Sequence, residues 1–160
     1  MVNLVSKENP WEKYYRFGNP DWKGSPFPFP GPNGDSKVLD VGCGTGATIL
    51  QAFDMGYGVW GIDISGSAIE KCRGRLQLRG LYAHLVKGDF LEWKSDERFD
   101  TILLHHFLSS LRKDERGRAV EKAREFLYSG GIISFQDFSI DDFKKMYPKD
   151  GLFGELDGED

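Results

Sequence analysis

Three aspartates, Asp40, Asp63 and Asp89, each close a short apolar run. The first stands two residues before the glycine-rich turn Gly42-Cys43-Gly44-Thr45-Gly46. Carboxylates in such places accept hydrogen bonds or balance positive charge, and glycine lets a backbone approach a ligand with no Cβ in between. A helix opening after the turn adds unpaired N–H groups. Asp63 lies about twenty residues beyond Gly42, the spacing at which a carboxylate meets both hydroxyls of a ribose. In Lys87-Gly88-Asp89-Phe90, Asp89 would set an acceptor near an adenine amino group and Phe90 a ring beside the base plane. Any one of these aspartates also reads as a solubilising residue at a strand end. All three at successive strand ends point to a nucleoside.

Asp40 selects among nucleosides. The string Gly42-x-Gly44-x-x-Ala47 satisfies the dinucleotide fingerprint, so a nicotinamide or flavin cofactor is one reading. A pyrophosphate over this turn would sit beside the Asp40 carboxylate, and like charges in a partly desolvated cleft repel by an amount on the order of kilocalories. S-adenosylmethionine has no phosphate and carries an ammonium and a sulfonium, both of which a carboxylate favours.

These residues need a scaffold of alternating strands and helices. Lys37 to Val41 reads as a strand, Gly46 to Met55 as a helix ended by Gly56, and Gly58 to Ile64 as a second strand. Ser67-Ala68-Ile69-Glu70 has capping-box spacing and opens a helix to about Leu78. Leu81 to Val86 is the third strand, Thr101 to Leu104 the fourth and Ile132 to Gln136 the fifth, with a short connection over 90–98 and a helix over 114–127. Five strands joined by crossovers predict a doubly wound, mostly parallel α/β sheet with helices on both faces.

The flanks differ. Six of the seven prolines and seven of the twenty-two aromatics fall within residues 1–36. Residues 25–35 should therefore be an irregular extended arm, and Trp11 to Phe17 a turn or two of helix, packed on the domain of residues 37–138. Residues 139–160 leave room for one short helix, Asp141 to Tyr147, before an acidic tail expected to fray.

The chain of 160 residues fits one core, and no apolar run reaches the roughly 20 residues of a membrane span. Residues 1–10 lack the apolar stretch of a secretion signal, and Cys43 and Cys72 sit in unlike contexts with no short-spaced partner, so neither a disulfide framework nor a zinc site is read from them. A cytoplasmic setting with no metal and no membrane is the expectation. The net charge of −4 argues against a nucleic-acid partner. The basic cluster Lys71, Arg73, Arg75 and Arg79 reads as the solvated face of a helix.

The segment Lys37-Val38-Leu39-Asp40-Val41-Gly42-Cys43-Gly44-Thr45-Gly46 resembles the first motif of class I S-adenosylmethionine-dependent methyltransferases. Val59 to Ser65, Gly88-Asp89-Phe90, Phe99 to His106 and Ser129 to Ile133 resemble their later motifs, so the likeness runs from about residue 37 to 137. It implies a Rossmann-like methyltransferase fold with S-adenosylmethionine as cofactor. Asp40, Gly42, Cys43, Gly44 and Gly46 would face the methionine end, Asp63 with Ile64 the ribose, Asp89 and Phe90 the adenine. His105, just past the fourth strand, would reach the cofactor. The family sheet ends in an antiparallel hairpin that covers the fifth strand, and residues 138–160 are too short for a helix plus that hairpin. The fifth strand would then be covered by the N-terminal arm, a second copy or a partner chain.

Methyl transfer from a sulfonium is an in-line displacement that needs orientation and a dry site, and a base only for a protonated acceptor. His105 is the candidate base, while His106 is expected to point away. Tyr14, Tyr15 and Trp22 either line the acceptor side or, as preferred, pack against the sheet edge. Leu104-His105-His106-Phe107 lacks the Asn/Asp-Pro-Pro-aromatic pattern that the family uses for exocyclic and amide nitrogens, which leaves a small-molecule acceptor by elimination. A cofactor-binding but silent subunit and an NAD-linked oxidoreductase are the competing readings.

Overall fold

The computed structural model describes residues 8–18, 28–137 and 139. Its centre is β1 (Lys37–Val41), whose Val38, Leu39 and Val41 are wholly shielded from solvent. β1 pairs in parallel with β2 (Gly58–Asp63) on one side and β4 (Phe99–His105) on the other. β3 (His84–Lys87) and β5 (Leu127–Gln136) extend the sheet outward to the order β3-β2-β1-β4-β5. Strand order reverses between β1 and β4. In a doubly wound sheet this opens a crevice above the carboxyl end of β1.

Apolar residues fill both faces of the central strands because both are covered, as a parallel sheet requires. On one face Val38, Val59 and Leu103 meet Ile49 and Ala52 of α2 (Ala47–Met55) and Ile69, Cys72 and Leu76 of α3 (Gly66–Leu78). On the other, Leu39, Ile62, Ile102 and Leu104 meet Phe90, Phe126 and Ala123, the last on α4 (Lys113–Glu125). Strand alternation puts Asp40, Asp63 and His105 on the first of these faces, at the ends that flank the crevice.

The fold is the doubly wound parallel sheet that the sequence predicts, with corrections at element ends. The third strand starts at His84 rather than Leu81. The amide of Leu81 is held by Leu76 O at 2.9 Å and Gly80 takes φ +65°, so this stretch closes α3 instead. The cap of α3 is Ser65, whose hydroxyl accepts the Ala68 N–H at 3.1 Å, not Ser67. β4 is longer at both ends than 101–104, and β5 begins at Leu127 with a register shift opposite Phe99 and Thr101 around Gly130-Gly131.

The flanking segment forms α1 (Pro10–Phe17), started by Asn9, which accepts the Trp11 N–H at 2.9 Å, and by proline at the first helical position. Residues 28–35 form neither helix nor strand. Phe29 is buried there beside Tyr57, whose hydroxyl donates to Pro30 O at 2.5 Å. Of the described parts of this arm, α1 lies on α3 and Phe29 beside Tyr57, and neither adds a strand to β5. The helix expected over 141–147 and the acidic tail lie outside the described residues, as does Trp22.

Candidate cofactor site

The glycine turn is pinned to β2. The N–H groups of Gly42 and Cys43 both donate to Ile62 O, at 2.8 and 3.1 Å, and Gly46 N donates back to Cys43 O at 3.0 Å. Gly44 and Gly46 adopt φ of +53° and +91°, a region that side-chain-bearing residues rarely enter. A Cβ on Gly46 would also lie 2.5 Å from Cys72 Sγ. The Cys43 side chain points into the core, in the same buried cluster as Cys72, and packs on Gly61. Cys43 therefore offers the open side of the turn only its backbone.

Asp63 braces the same turn. Its Oδ2 accepts Gly44 N–H at 2.8 Å and its Oδ1 accepts Ser65 N–H at 2.9 Å. Each oxygen keeps a further acceptor position, so a ribose diol can still be met. Asp40 lies two residues before the turn and is 4 % exposed. Burial, and then the charge of Asp63, push the Asp40 carboxyl up to about 8. Burial also raises Asp63, offset in part by its two N–H partners.

Two buried carboxylates, one of which raises the other's proton affinity, meet no positive charge among the described residues. A sulfonium or ammonium placed there would lower both, whereas a phosphate would worsen the repulsion. The residues thus fit S-adenosylmethionine and oppose a dinucleotide.

Two aromatic residues close the turn. The Tyr15 hydroxyl of α1 stands 2.6 Å from the point where a Gly44 Cβ would be, and Phe107 Cδ2 stands 3.1 Å from that point on Gly42. Burial, then the Asp63 charge, hold the Tyr15 phenol above its ordinary pKa, so it stays a neutral donor. Tyr15 is therefore on the glycine turn, not against the sheet edge as sequence reasoning preferred. Phe107 was missed altogether. An aromatic residue two positions past the fourth strand was the available signal for it.

The remaining candidates sit further out. Ile64 is 39 % exposed beside Asp63, as a base- or ribose-facing residue should be. Asp89 is exposed and spends Oδ1 on the Leu91 N–H at 2.9 Å, which starts the turn after β3. The Phe90 ring is buried in the second core layer, edge-on to Phe107 at 6.0 Å and near Phe126 at 6.1 Å. It supports Phe107 from behind.

His105 ends β4 with Nε2 2.9 Å from Ser134 Oγ and its ring 6.0 Å from Phe29. Burial, then His106, lower its pKa and keep the imidazole neutral. His106 takes φ +55°, unusual for a non-glycine residue, and donates its N–H to Gln136 O at 2.7 Å. The structure thus gathers Asp40, Asp63 and the glycine turn around one point, with His105 on the neighbouring strand and Asp89 and Phe90 on a separate set of contacts.

Comparison with known proteins agrees with this geometry. A family profile described as "Methyltransferase domain" matches residues 38–131. "Probable thiol methyltransferase 2" of Arabidopsis thaliana is 28% identical over 143 residues, covering 82% of this chain and 62% of its own length. A tRNA N(3)-cytidine methyltransferase of Danio rerio is 24% identical over 132 residues, 77% of this chain and 37% of its own. The S-adenosylmethionine-bound structure of an amino pentose methyltransferase from Micromonospora echinaspora superposes with a TM-score of 0.59 at 26% identity, over 68% of this chain and 45% of that one. The chain thus spans less than two thirds of these relatives. Over that span, its matched residues and its strand-end carboxylates place it in the class I S-adenosylmethionine-dependent methyltransferase family.

Proposed function

We propose that this chain binds S-adenosylmethionine and transfers its methyl group to a small-molecule acceptor. The observation that carries the reading is the buried pair Asp40 and Asp63 on either side of a turn whose Gly44 N–H is held by Asp63. Bound there, the cofactor supplies an electrophilic methyl group, already activated by its sulfonium. Asp40 answers the positive charge of the methionine end, Asp63 and Ile64 hold the ribose, and Asp89 marks the adenine side, while the buried Phe90 ring backs Phe107 rather than lying beside the base. Phe107 and Tyr15 exclude water from the turn. His105, neutral and directed at Ser134, accepts a proton from an acceptor that carries one.

Isothermal titration with S-adenosylhomocysteine and with NAD tests the cofactor. The expected result is binding of the first and not the second, and loss of the first in Asp63→Ala. A labelled-methyl assay across thiols, amines and tRNA then tests the acceptor. The relatives named above include a tRNA enzyme, so labelling of RNA alone would replace the small-molecule assignment. A cytoplasmic setting accords with the two free thiols.

A second reading, a cofactor-binding subunit that works with a partner chain or a second copy, draws on β5. Among the described residues β5 pairs with β4 alone, and its Ile132 and Phe135 are exposed. Light scattering that gives a monomer, with fast amide exchange along β5, would count against it.

A further inference from the structure

α1 covers the glycine turn while burying little of itself. None of its residues is fully buried, yet Tyr15 rests on Gly44. Polar contacts to α3 hold it there. The Glu12 carboxylate accepts the Ser65 hydroxyl at 2.7 Å and the Ser67 N–H at 3.1 Å on Oε2, and the Ser67 hydroxyl at 2.5 Å on Oε1. These donors sit at the first turn of α3, where the helix presents partial positive charge. Lys71 adds a hydrogen bond from Nζ to Tyr15 O, and Arg16 Nη2 meets Glu12 Oε1 at 3.1 Å. Ser67, then Ser65, bring the Glu12 pKa down to about 2, so the carboxylate that accepts these bonds is ionised at neutral pH.

Two consequences follow. A ligand lying on Gly44 would meet the Tyr15 hydroxyl that stands over the turn, so it cannot enter or leave past a docked α1. An element whose side chains are at most half-buried, and which polar contacts tie to α3, opens at lower free energy than the fully buried sheet beneath it. We propose that α1 is a lid over the cofactor site, with Glu12 as its latch on Ser65 and Ser67 and Tyr15 as the residue that positions the methionine end when the lid is shut. This rests on the cofactor reading above. It adds that exchange of cofactor for product requires the Glu12 latch to release.

The test combines S-adenosylhomocysteine dissociation kinetics with amide exchange of residues 10–17 in the full chain, for the wild type, Glu12→Gln, Ser67→Ala and Tyr15→Phe. Glu12→Gln keeps the shape and removes the charge. It should raise the dissociation rate by about tenfold, accelerate exchange in α1 and leave exchange in β1 and β4 unchanged. Ser67→Ala, which spares the Ser65 cap, should do the same to a smaller degree. Tyr15→Phe should weaken affinity while α1 stays protected. Dissociation rates unchanged in both latch variants, with α1 equally protected in all proteins, would overturn the lid and leave the cofactor site standing. A wild-type chain that binds no S-adenosylhomocysteine would overturn both.

Discussion

Asp63 Oδ2 accepts the Gly44 N–H at 2.8 Å, so the carboxylate that should face a ribose is also the strut that shapes the glycine turn. Its other oxygen holds Ser65 N–H, which ties the turn to the cap of α3. One side chain therefore sets the turn, the start of a helix and the sugar-facing acceptor together.

Replacing Asp63 should accordingly cost more than a lost ligand contact. Asp63→Asn keeps one acceptor oxygen, and Asp63→Ala keeps none. Losing a charged hydrogen bond is worth about 1.5–3 kcal/mol, so S-adenosylhomocysteine affinity should fall by roughly tenfold or more in the first and further in the second. Thermal unfolding separates the two roles. The alanine variant should melt lower even without ligand, and equal melting of all three proteins would argue that the turn stands without Asp63.

Asp40 makes stability depend on pH in a defined direction. Its folded pKa of about 8 lies above the ordinary 3.8. Between those values the folded protein holds a proton that the unfolded chain has released. Stability should therefore be greatest at the acid end of that window and decline as pH rises, by up to about 1.4 kcal/mol per unit. Asp63 is raised as well and acts in the same sense. Melting followed from pH 5 to 9 should show the decline, and Asp40→Asn should flatten it. S-adenosylmethionine should bind more tightly as Asp40 ionises and should release a proton on binding near neutrality. Calorimetry in two buffers of different ionisation enthalpy reads that proton directly.

Glycines in this chain divide by environment, and paired substitutions expose the division. Gly46 takes φ +91° and its added Cβ would meet Cys72 Sγ at 2.5 Å, whereas a Cβ on Gly74, inside α3, meets nothing within 4 Å. Gly46→Ala should destabilise by about 1–2 kcal/mol or more and impair cofactor binding. Gly74→Ala should stabilise by about 0.5–1 kcal/mol and leave binding unchanged. Denaturant melts of both variants, with equal slopes, decide it.

The contrast between what the sequence displayed and what it concealed has a physical basis. Asp40, Asp63 and the glycine turn were legible because strand ends and helix starts leave local marks, a closed apolar run, then glycine, then a period of 3.6. The doubly wound, mostly parallel sheet follows from the same alternation, though its strand order does not. The start of β3 was misplaced because Leu81 is apolar in either role, and the bond from its amide to Leu76 O decides between them. The lid was hidden for another reason. Glu12 meets Ser65 and Ser67 across more than fifty positions of chain. No spacing rule reaches that far, and Tyr15 looks like any aromatic residue until its hydroxyl is found on Gly44.

His105 offers the sharpest test of chemistry beyond binding. Burial and His106 lower its pKa from the ordinary 6.5, and Nε2 lies 2.9 Å from Ser134 Oγ. If this imidazole accepts the acceptor's proton, kcat/KM should lose activity only on an acidic limb lying below pH 6.5, because the neutral form persists at lower pH than for a free histidine. His105→Gln retains a hydrogen-bonding side chain but no titratable nitrogen. It should lower kcat by about 10²–10⁴-fold, erase that limb and leave S-adenosylhomocysteine affinity within a few fold of the wild type. Ser134→Ala removes the hydroxyl contact at Nε2 and should shift the limb without erasing it. A glutamine variant that keeps both its rate and its acidic limb would move the base elsewhere and leave His105 as a residue that packs Phe29 against the end of β4.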